Sequence, residues 1–246
     1  MSRWRALWRG LRVLAHLLHG WWTLRRLLAR QAPPPMTPLV REWSRRLLCL
    51  MGVELVVHGQ PPTCGPLLLV ANHVSWLDII ALNAVQPLRF VSKADVKRWP
   101  LLGTLSAGIG TLYIERASRH DALRVVHLMA ERLQAGDLLA VFPEGTTGDG
   151  TALLPFHANL LQAAIAAQAP ALPVGLTYVE RRSGARSTAP LYTGDTALLT
   201  SIWRTLCASE LQAVLHFGQA QCASGRERRA WAQELRSEVE RLLQTG

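Results

Sequence analysis

Apolar residues recur along the chain at two periods. Short apolar runs bounded by turn residues predict strands at 53–58 (VELVVH), 67–71 (LLLVA), 88–92 (LRFVS), 111–115 (TLYIE), 138–142 (LLAVF), 172–179 (LPVGLTYV) and 212–218 (QAVLHFG). Helices fit at 39–51, 75–85, 119–135, 157–168 and 196–206. Ser224-x-x-Glu227 reads as a capping box that opens a last helix, with Trp231, Leu235, Val239 and Leu242 on one stripe. Strand–helix alternation with strands apolar throughout predicts an α/β domain over residues 52–246, a largely parallel sheet covered by helices on both faces.

The first 51 residues follow a different pattern, and charge explains why. The chain carries 27 Lys and Arg against 17 Asp and Glu, and the excess is concentrated at one end. Residues 1–46 hold ten arginines and a single acid, Glu42, so that segment carries +9 and the remaining 200 residues +1. At ~100° per residue, Arg5, Arg9, Arg12, His16, His19, Arg26 and Arg30 share one face of a helix. Leu7, Leu11, Leu14, Leu18, Trp21 and Leu28 cover the opposite one. A basic face opposite a Trp/Leu face describes a helix lying in an anionic membrane interface; a helix docked on a partner protein is the alternative. The charge-free stretch from Val13 to Leu24 has twelve residues, against the ~20 that a spanning helix needs. Arg25 and Arg26 stand where a signal peptide would need small residues for cleavage. Pro33-Pro34-Pro35-Met36-Thr37-Pro38 predicts a hinge within this arm. The nearly neutral remainder excludes a nucleic-acid-binding domain, and four scattered cysteines make neither a disulfide framework nor a zinc site but fit a reducing compartment.

Chemistry concentrates where the predicted strands end. LLLVA runs into Asn72-His73, LRFVS into Lys93, TLYIE into Arg116 and LLAVF into Pro143-Glu144-Gly145. Parallel strands would bring these ends to one edge, the usual ligand edge of an open α/β sheet. His73 and Asp78 are five residues apart, too far for neighbours on one helix. The spacing works if His73 ends the strand and Asp78 opens the next helix, where its carboxylate accepts the imidazole N–H. Chance would give about 0.002 Asn-His-x4-Asp patterns in a chain with three Asn, eight His and six Asp. Leu112 and Ile114 share a face with Arg116, which would leave its guanidinium partly buried and in need of an anion.

Asn72-His73-x4-Asp78, Gly110-Thr111-Leu112-Tyr113-Ile114-Glu115-Arg116, Phe142-Pro143-Glu144-Gly145-Thr146 and Leu172-Pro173-Val174 resemble the four ordered blocks of the glycerolipid acyltransferases. The resemblance is nearest to the bacterial 1-acyl-glycerol-3-phosphate acyltransferases. It implies His73 and Asp78 as the catalytic pair, and Asn72, Lys93, Arg116, Glu144, Gly145 and Thr146 as substrate-binding, with Lys93 and Arg116 on the acceptor phosphate. It also implies acyl transfer from acyl-CoA or acyl carrier protein to the sn-2 hydroxyl, giving phosphatidic acid, with no metal and no cofactor. The partners are then an anionic phospholipid membrane and a lysolipid, and the location the cytoplasmic face of the cell membrane, held through the N-terminal arm. Two departures bear on the acceptor. Thr147 stands where members carry a basic residue, and Phe156-His157-Ala158-Asn159 replaces a Phe-Lys-x-Gly-like stretch. Both leave room for another acceptor such as a lyso-ornithine lipid. Ser75 beside His73 raises a rival serine hydrolase, without the Gly-x-Ser-x-Gly elbow; a membrane-binding module without catalysis is the other rival.

Overall fold

The structure, a computed structural model, describes residues 3–29, 36–99, 101–114, 119–194 and 196–245. Two helices, α1 (Arg3–Leu28) and α2 (Met36–Met51), lead into β1 (Val53–His58) and β2 (Leu67–Ala71). Then come α3 (Leu77–Val85), β3 (Arg89–Lys93), α4 (Leu102–Gly108), β4 (Leu112–Ile114), α5 (Arg119–Gln134) and β5 (Leu138–Val141). The chain ends with α6 (Leu161–Ala166), β6 (Ala171–Glu180), α7 (Leu198–Cys207), β7 (Leu211–Phe217) and α8 (Arg228–Gln244). Among the described residues the strands form one sheet in the order β1-β7-β6-β2-β5-β3-β4. Every pairing is parallel except β6 with β7. The strands β2 to β6 therefore all run one way and end on one edge, as the alternation predicts, while β1 and β7 run the other way.

The central strand β2 shows how the sheet is held. Leu67, Leu69 and Ala71 point into one core cluster, shared with α2 and α3; Leu68 and Val70 point into a second, shared with α5, α6 and α8. All five β2 residues are buried, so an uninterrupted apolar run is what a strand covered on both faces requires. Three elements depart from the expected pattern. Ala94–Arg98 form a 3-10 turn and Leu102–Gly108 form α4, where the sequence offers no periodicity; Gly103 packs directly on the Lys97 carbonyl, and a Cβ there would approach it to 2.2 Å. The helix expected at 157–168 is a 3-10 turn (Ala158–Leu160) followed by α6. Ser224 does not cap α8: it adopts φ 50°, its hydroxyl bonds to the Cys222 carbonyl, and the helix opens at Arg228 without a side-chain cap. The expected stripe on α8 is nevertheless buried as Trp231, Leu235, Val239 and Leu242.

The N-terminal arm lies on the domain. Leu47, Leu48, Leu50 and Met51 of α2 join the same cluster as β2, so the core continues across the boundary expected at 51/52. Of the expected hinge, residues 33–35 lie outside the described residues, and Met36, Thr37 and Pro38 open α2. Pro38 falls in the first turn, where a helix has no amide bond to lose. The helix α1 has three faces rather than two. Ala6, Val13, Gly20 and Leu27, seven residues apart, are buried together with Leu24 against neighbouring helices. Arg9 Nη1 donates to the carbonyls of Leu206 (3.2 Å) and Ala208 (2.9 Å), satisfying the orphan end of α7. His16 stacks on Trp43 and bonds to its carbonyl, and burial holds the imidazole below its ordinary pKa. The large apolar residues Trp4, Leu7, Trp8, Leu11, Leu14, Leu18 and Trp22 remain exposed.

Gly20 of α1 packs directly on the Trp43 indole of α2, because a Cβ there would lie 2.3 Å from Trp43 Nε1. Gly20→Ala is expected to strain this seam by ~1–3 kcal/mol. Limited proteolysis should then cleave between α1 and α2 faster while the melting of the α/β core moves little; unchanged cleavage would show that the seam tolerates the methyl group.

Candidate active site

The edge where β2 ends is built around one carboxylate. The chain leaves β2 at Ala71 and turns through residues 72–76 into α3, whose second residue is Asp78. That side chain has no exposed surface. Its Oδ2 accepts the amides of Val74 (2.8 Å) and Ser75 (2.9 Å) and lies 2.7 Å from His73 Nδ1. Its Oδ1 accepts the hydroxyl of Tyr178 from β6 at 2.8 Å. The loop thus wraps the carboxylate at the start of a helix, where the macrodipole also favours negative charge. Burial and the Asp78 charge push the Tyr178 phenol well above its ordinary pKa, so it stays a neutral donor.

This arrangement fixes the chemistry of His73. An ionised carboxylate already receiving amide donors acts as an acceptor, which assigns the proton to Nδ1 and leaves Nε2 with its lone pair. The ring stacks on Phe142 at 4.0 Å with an interplanar angle of 11°, and Phe142 in turn stacks on Phe90. The imidazole is gripped at one nitrogen and one face, and a fifth of its side chain stays open to solvent.

Other expected site residues hold this loop in place. Asn72 is buried: its amide donates to the Leu176 carbonyl (2.9 Å) and accepts the Leu176 N–H (2.7 Å), tying β2 to β6. Glu144 is buried as well. Its Oε1 accepts the His73 amide (2.7 Å) and its Oε2 that of Leu154 (2.9 Å). Burial raises the Glu144 pKa, opposed by these two amides. Asn72 and Glu144 therefore both bond to the backbone of the protein itself. Gly145 adopts φ 72°, and a Cβ there would meet the His157 ring at 3.1 Å, so the turn after Glu144 requires glycine on two counts. Thr146 is exposed at the same edge. The Gly148 amide donates to the His73 carbonyl at 2.7 Å, and the Thr147 hydroxyl bonds to the Tyr192 carbonyl.

Lys93 ends β3 as expected, but its side chain is 57% exposed and paired with Asp95 at 2.8 Å. Arg116 lies outside the described residues, as does Glu115. Of the two residues expected to share a face with Arg116, Leu112 is buried and Ile114 half-buried. Ser75 is fully buried; its Oγ donates to the Pro190 carbonyl (2.5 Å) and accepts the Leu77 amide (3.1 Å). A hydroxyl so enclosed has no route to a substrate carbonyl, which removes the Ser75 nucleophile. Among the described residues no cluster of three or more His, Cys, Asp or Glu could hold a metal ion.

The profile of the acyltransferase family matches residues 54–177, from β1 to β6 and through the whole His73 loop. The chain belongs to the acyltransferase family. It is 40% identical over 212 residues to the lyso-ornithine lipid O-acyltransferase of Pseudomonas aeruginosa, covering 84% of this chain and 81% of that protein. It is 39% identical over 187 residues to the 1-acyl-sn-glycerol-3-phosphate acyltransferase of Neisseria meningitidis, covering 75% and 72%. The fold matches the crystal structure of the 1-acyl-sn-glycerophosphate acyltransferase of Thermotoga maritima with a TM-score of 0.73 at 17% identity, over 98% of this chain and 94% of that one. The family match ends at Thr177, one residue before Tyr178, the donor that closes the shell around Asp78 in this acyltransferase. No local motif announces Tyr178; its partner is 100 residues away.

The roles of Glu144 as strut or as substrate ligand separate in kinetics. Glu144→Ala leaves two amides without an acceptor, at ~1–3 kcal/mol each. The turnover number should fall by roughly tenfold or more as the His73 loop loosens, with the acceptor KM moving less than about twofold. A raised KM at unchanged kcat would place Glu144 on the substrate instead.

Proposed function

We propose that this acyltransferase moves a fatty acyl group from an acyl thioester, acyl-CoA or acyl carrier protein, to the free hydroxyl of a lysolipid. The observation that carries the reading is the His73–Asp78 contact of 2.7 Å, with the second imidazole nitrogen left uncommitted among the described residues at the ligand edge of the sheet. His73 Nε2 takes the hydroxyl proton as the acceptor oxygen attacks the thioester carbonyl. The tetrahedral intermediate expels the thiolate, which recovers that proton from the imidazolium. Asp78 keeps the ring oriented and offsets its positive charge during the reaction. The thioester is already activated, so the proposed steps use no metal and no further cofactor.

The first acceptor is 1-acyl-glycerol-3-phosphate at its sn-2 hydroxyl, yielding phosphatidic acid. The Arg116 motif supports it, since a guanidinium following the strand that the sequence predicts over 111–115 suits a phosphate monoester. A specific observation favours lyso-ornithine lipid as the second reading. Lys93 is paired with Asp95, and Thr147 stands where a basic residue would meet a phosphate. An ornithine headgroup carries one carboxylate and one ammonium, and asks for less positive charge. The relatives carry both acceptor names.

The reaction belongs at a lipid surface. The described helices include none long and apolar enough to cross a membrane. The exposed stripe of α1, headed by Trp4 at 77% exposure and Trp8 at 58%, with Arg25 and Arg26 stacked on Trp21 and Trp22, suits the interface of an anionic leaflet. Donors of the acyl-CoA or acyl carrier protein type place that leaflet on the cytoplasmic side.

The test is acyl transfer by the purified protein with both lysolipids. His73→Ala should abolish transfer to either, and Asp78→Asn should slow it by ~10²–10⁴. Near-wild-type rates in both variants would refute the mechanism. The acceptor with the higher kcat/KM is the substrate; a clear preference for the lyso-ornithine lipid would displace phosphatidic acid as the product. Arg116→Ala should then lower the efficiency with 1-acyl-glycerol-3-phosphate by about ten- to a hundredfold while leaving the thioester KM unchanged.

A further inference from the structure

The helix α7 has two faces with different work. Its inner face bonds to the loop that carries His73 and Asp78. Ser201 Oγ donates to the Pro190 carbonyl (3.0 Å) and accepts the indole N–H of Trp76 (3.0 Å). Ser75 donates to the same carbonyl. Ser75 and Trp76 lie between His73 and Asp78 in the chain, so α7 is wired to the catalytic turn by hydrogen bonds rather than by packing alone.

The outer face is apolar and open. Leu199, Trp203 and Leu206 follow an i, i+4, i+7 spacing and form one stripe. Leu206, at the inner end, is buried and covered by α1 near Gly10, with its Cδ1 3.6 Å from the position of a Cβ there. Arg9 of α1 caps the same end of α7. Beyond that crossing the stripe runs on uncovered: Trp203 is 40% exposed and Leu199 79%. Among the described residues these are among the few large apolar side chains that are exposed outside α1.

We propose that α7 is a second lipid contact, with Leu199 and Trp203 entering the same membrane interface as the exposed stripe of α1. Continuity favours lipid as the occupant. The stripe emerges from the seam with α1, and it repeats the composition of the α1 stripe, leucine and tryptophan with an exposed arginine, Arg204, at its side. The two contacts differ in what they hold. The contact through α1 retains the protein on the leaflet. The contact through α7 sets the height and tilt of the catalytic loop above it, because Ser201 of the same helix accepts from Trp76 and shares the Pro190 carbonyl with Ser75. A lysolipid whose chains stay in the bilayer presents its hydroxyl at a fixed depth, so this height decides whether His73 reaches it. The inference rests on the lipid-surface reading above.

Leu199→Asn, alone and combined with Trp203→Gln, alters the outer face without changing charge, and Leu199→Asn guards against loss of the fold. The control is Trp4→Gln with Trp8→Gln in α1. Flotation with phosphatidylglycerol–phosphatidylcholine vesicles measures partition. Transfer is measured to a long-chain lysolipid in vesicles and to a short-chain analogue dispersed below its micelle concentration. The combined α7 variant should partition roughly tenfold more weakly and lose a similar factor in transfer on vesicles. Its rate with the dispersed acceptor should match wild type. Unchanged partition and vesicle transfer in the α7 variants, with partition lost in the α1 control, would overturn the α7 contact and leave the lipid-surface reading standing. Unchanged partition in all variants would overturn both. An equal loss with the dispersed acceptor would show that the outer face acts through the fold, and self-association of the wild type abolished by Leu199→Asn would show a protein contact; either result overturns the proposal.

Discussion

The buried carboxylate of Asp78 is the constraint around which the catalytic edge is arranged. A carboxylate removed from water needs its lone pairs satisfied, or it takes up a proton and loses its charge. Here four donors meet it: the imidazole of His73, the amides of Val74 and Ser75, and the hydroxyl of Tyr178. Meeting that demand dictates the turn at residues 73–76, the start of α3 and the tautomer of His73 in one step. The strand β6 must lie beside β2 to deliver Tyr178, and the paired amide of Asn72 with Leu176 fixes that register.

A second set of bonds fixes the turn from the other side. Glu144 and Gly148 occupy both backbone polar groups of His73, so the loop after β5 clamps the loop after β2. Ser201 and Pro190 brace Ser75 and Trp76. In the proposed mechanism the base is therefore positioned through bonds to its own loop, which is how a side chain is held to the tolerance that general-base catalysis needs. The arm follows the same logic on a larger scale. A heptad of small and branched residues docks α1 on the domain, which leaves its large apolar residues free for another surface.

Local patterns carried much of this into the sequence. The apolar run at 67–71 coincides with β2, because a strand buried on both faces leaves little ambiguity in pattern or length, and the run at 53–58 coincides with the edge strand β1. His73 and Asp78 were legible because their partnership spans five residues. What stayed hidden depends on distance or on backbone. The Asn72 amide meets Leu176, 104 residues on, and Glu144 serves two amides, so nothing in their side-chain chemistry distinguishes a strut from a ligand. The short, glycine-bearing α4 has no periodicity to detect. The docking face of α1 was masked by the louder contrast between its arginines and its tryptophans. At Ser224 the motif was present but the backbone took a left-handed turn instead, three residues short of the helix it should open.

The central claim is that Asp78 holds the proton on Nδ1 and leaves Nε2 as the base. Nitrogen-15 NMR of the histidine-labelled protein, with His73 assigned by its loss in His73→Ala, reads this directly. At a pH where the ring is neutral, the account predicts an Nδ1 shift of the protonated, pyrrole type and an Nε2 shift of the unprotonated, pyridine type, and loss of that pattern in Asp78→Asn. A wild-type His73 that carries its proton on Nε2 would contradict the account, because no lone pair would then face the acceptor hydroxyl.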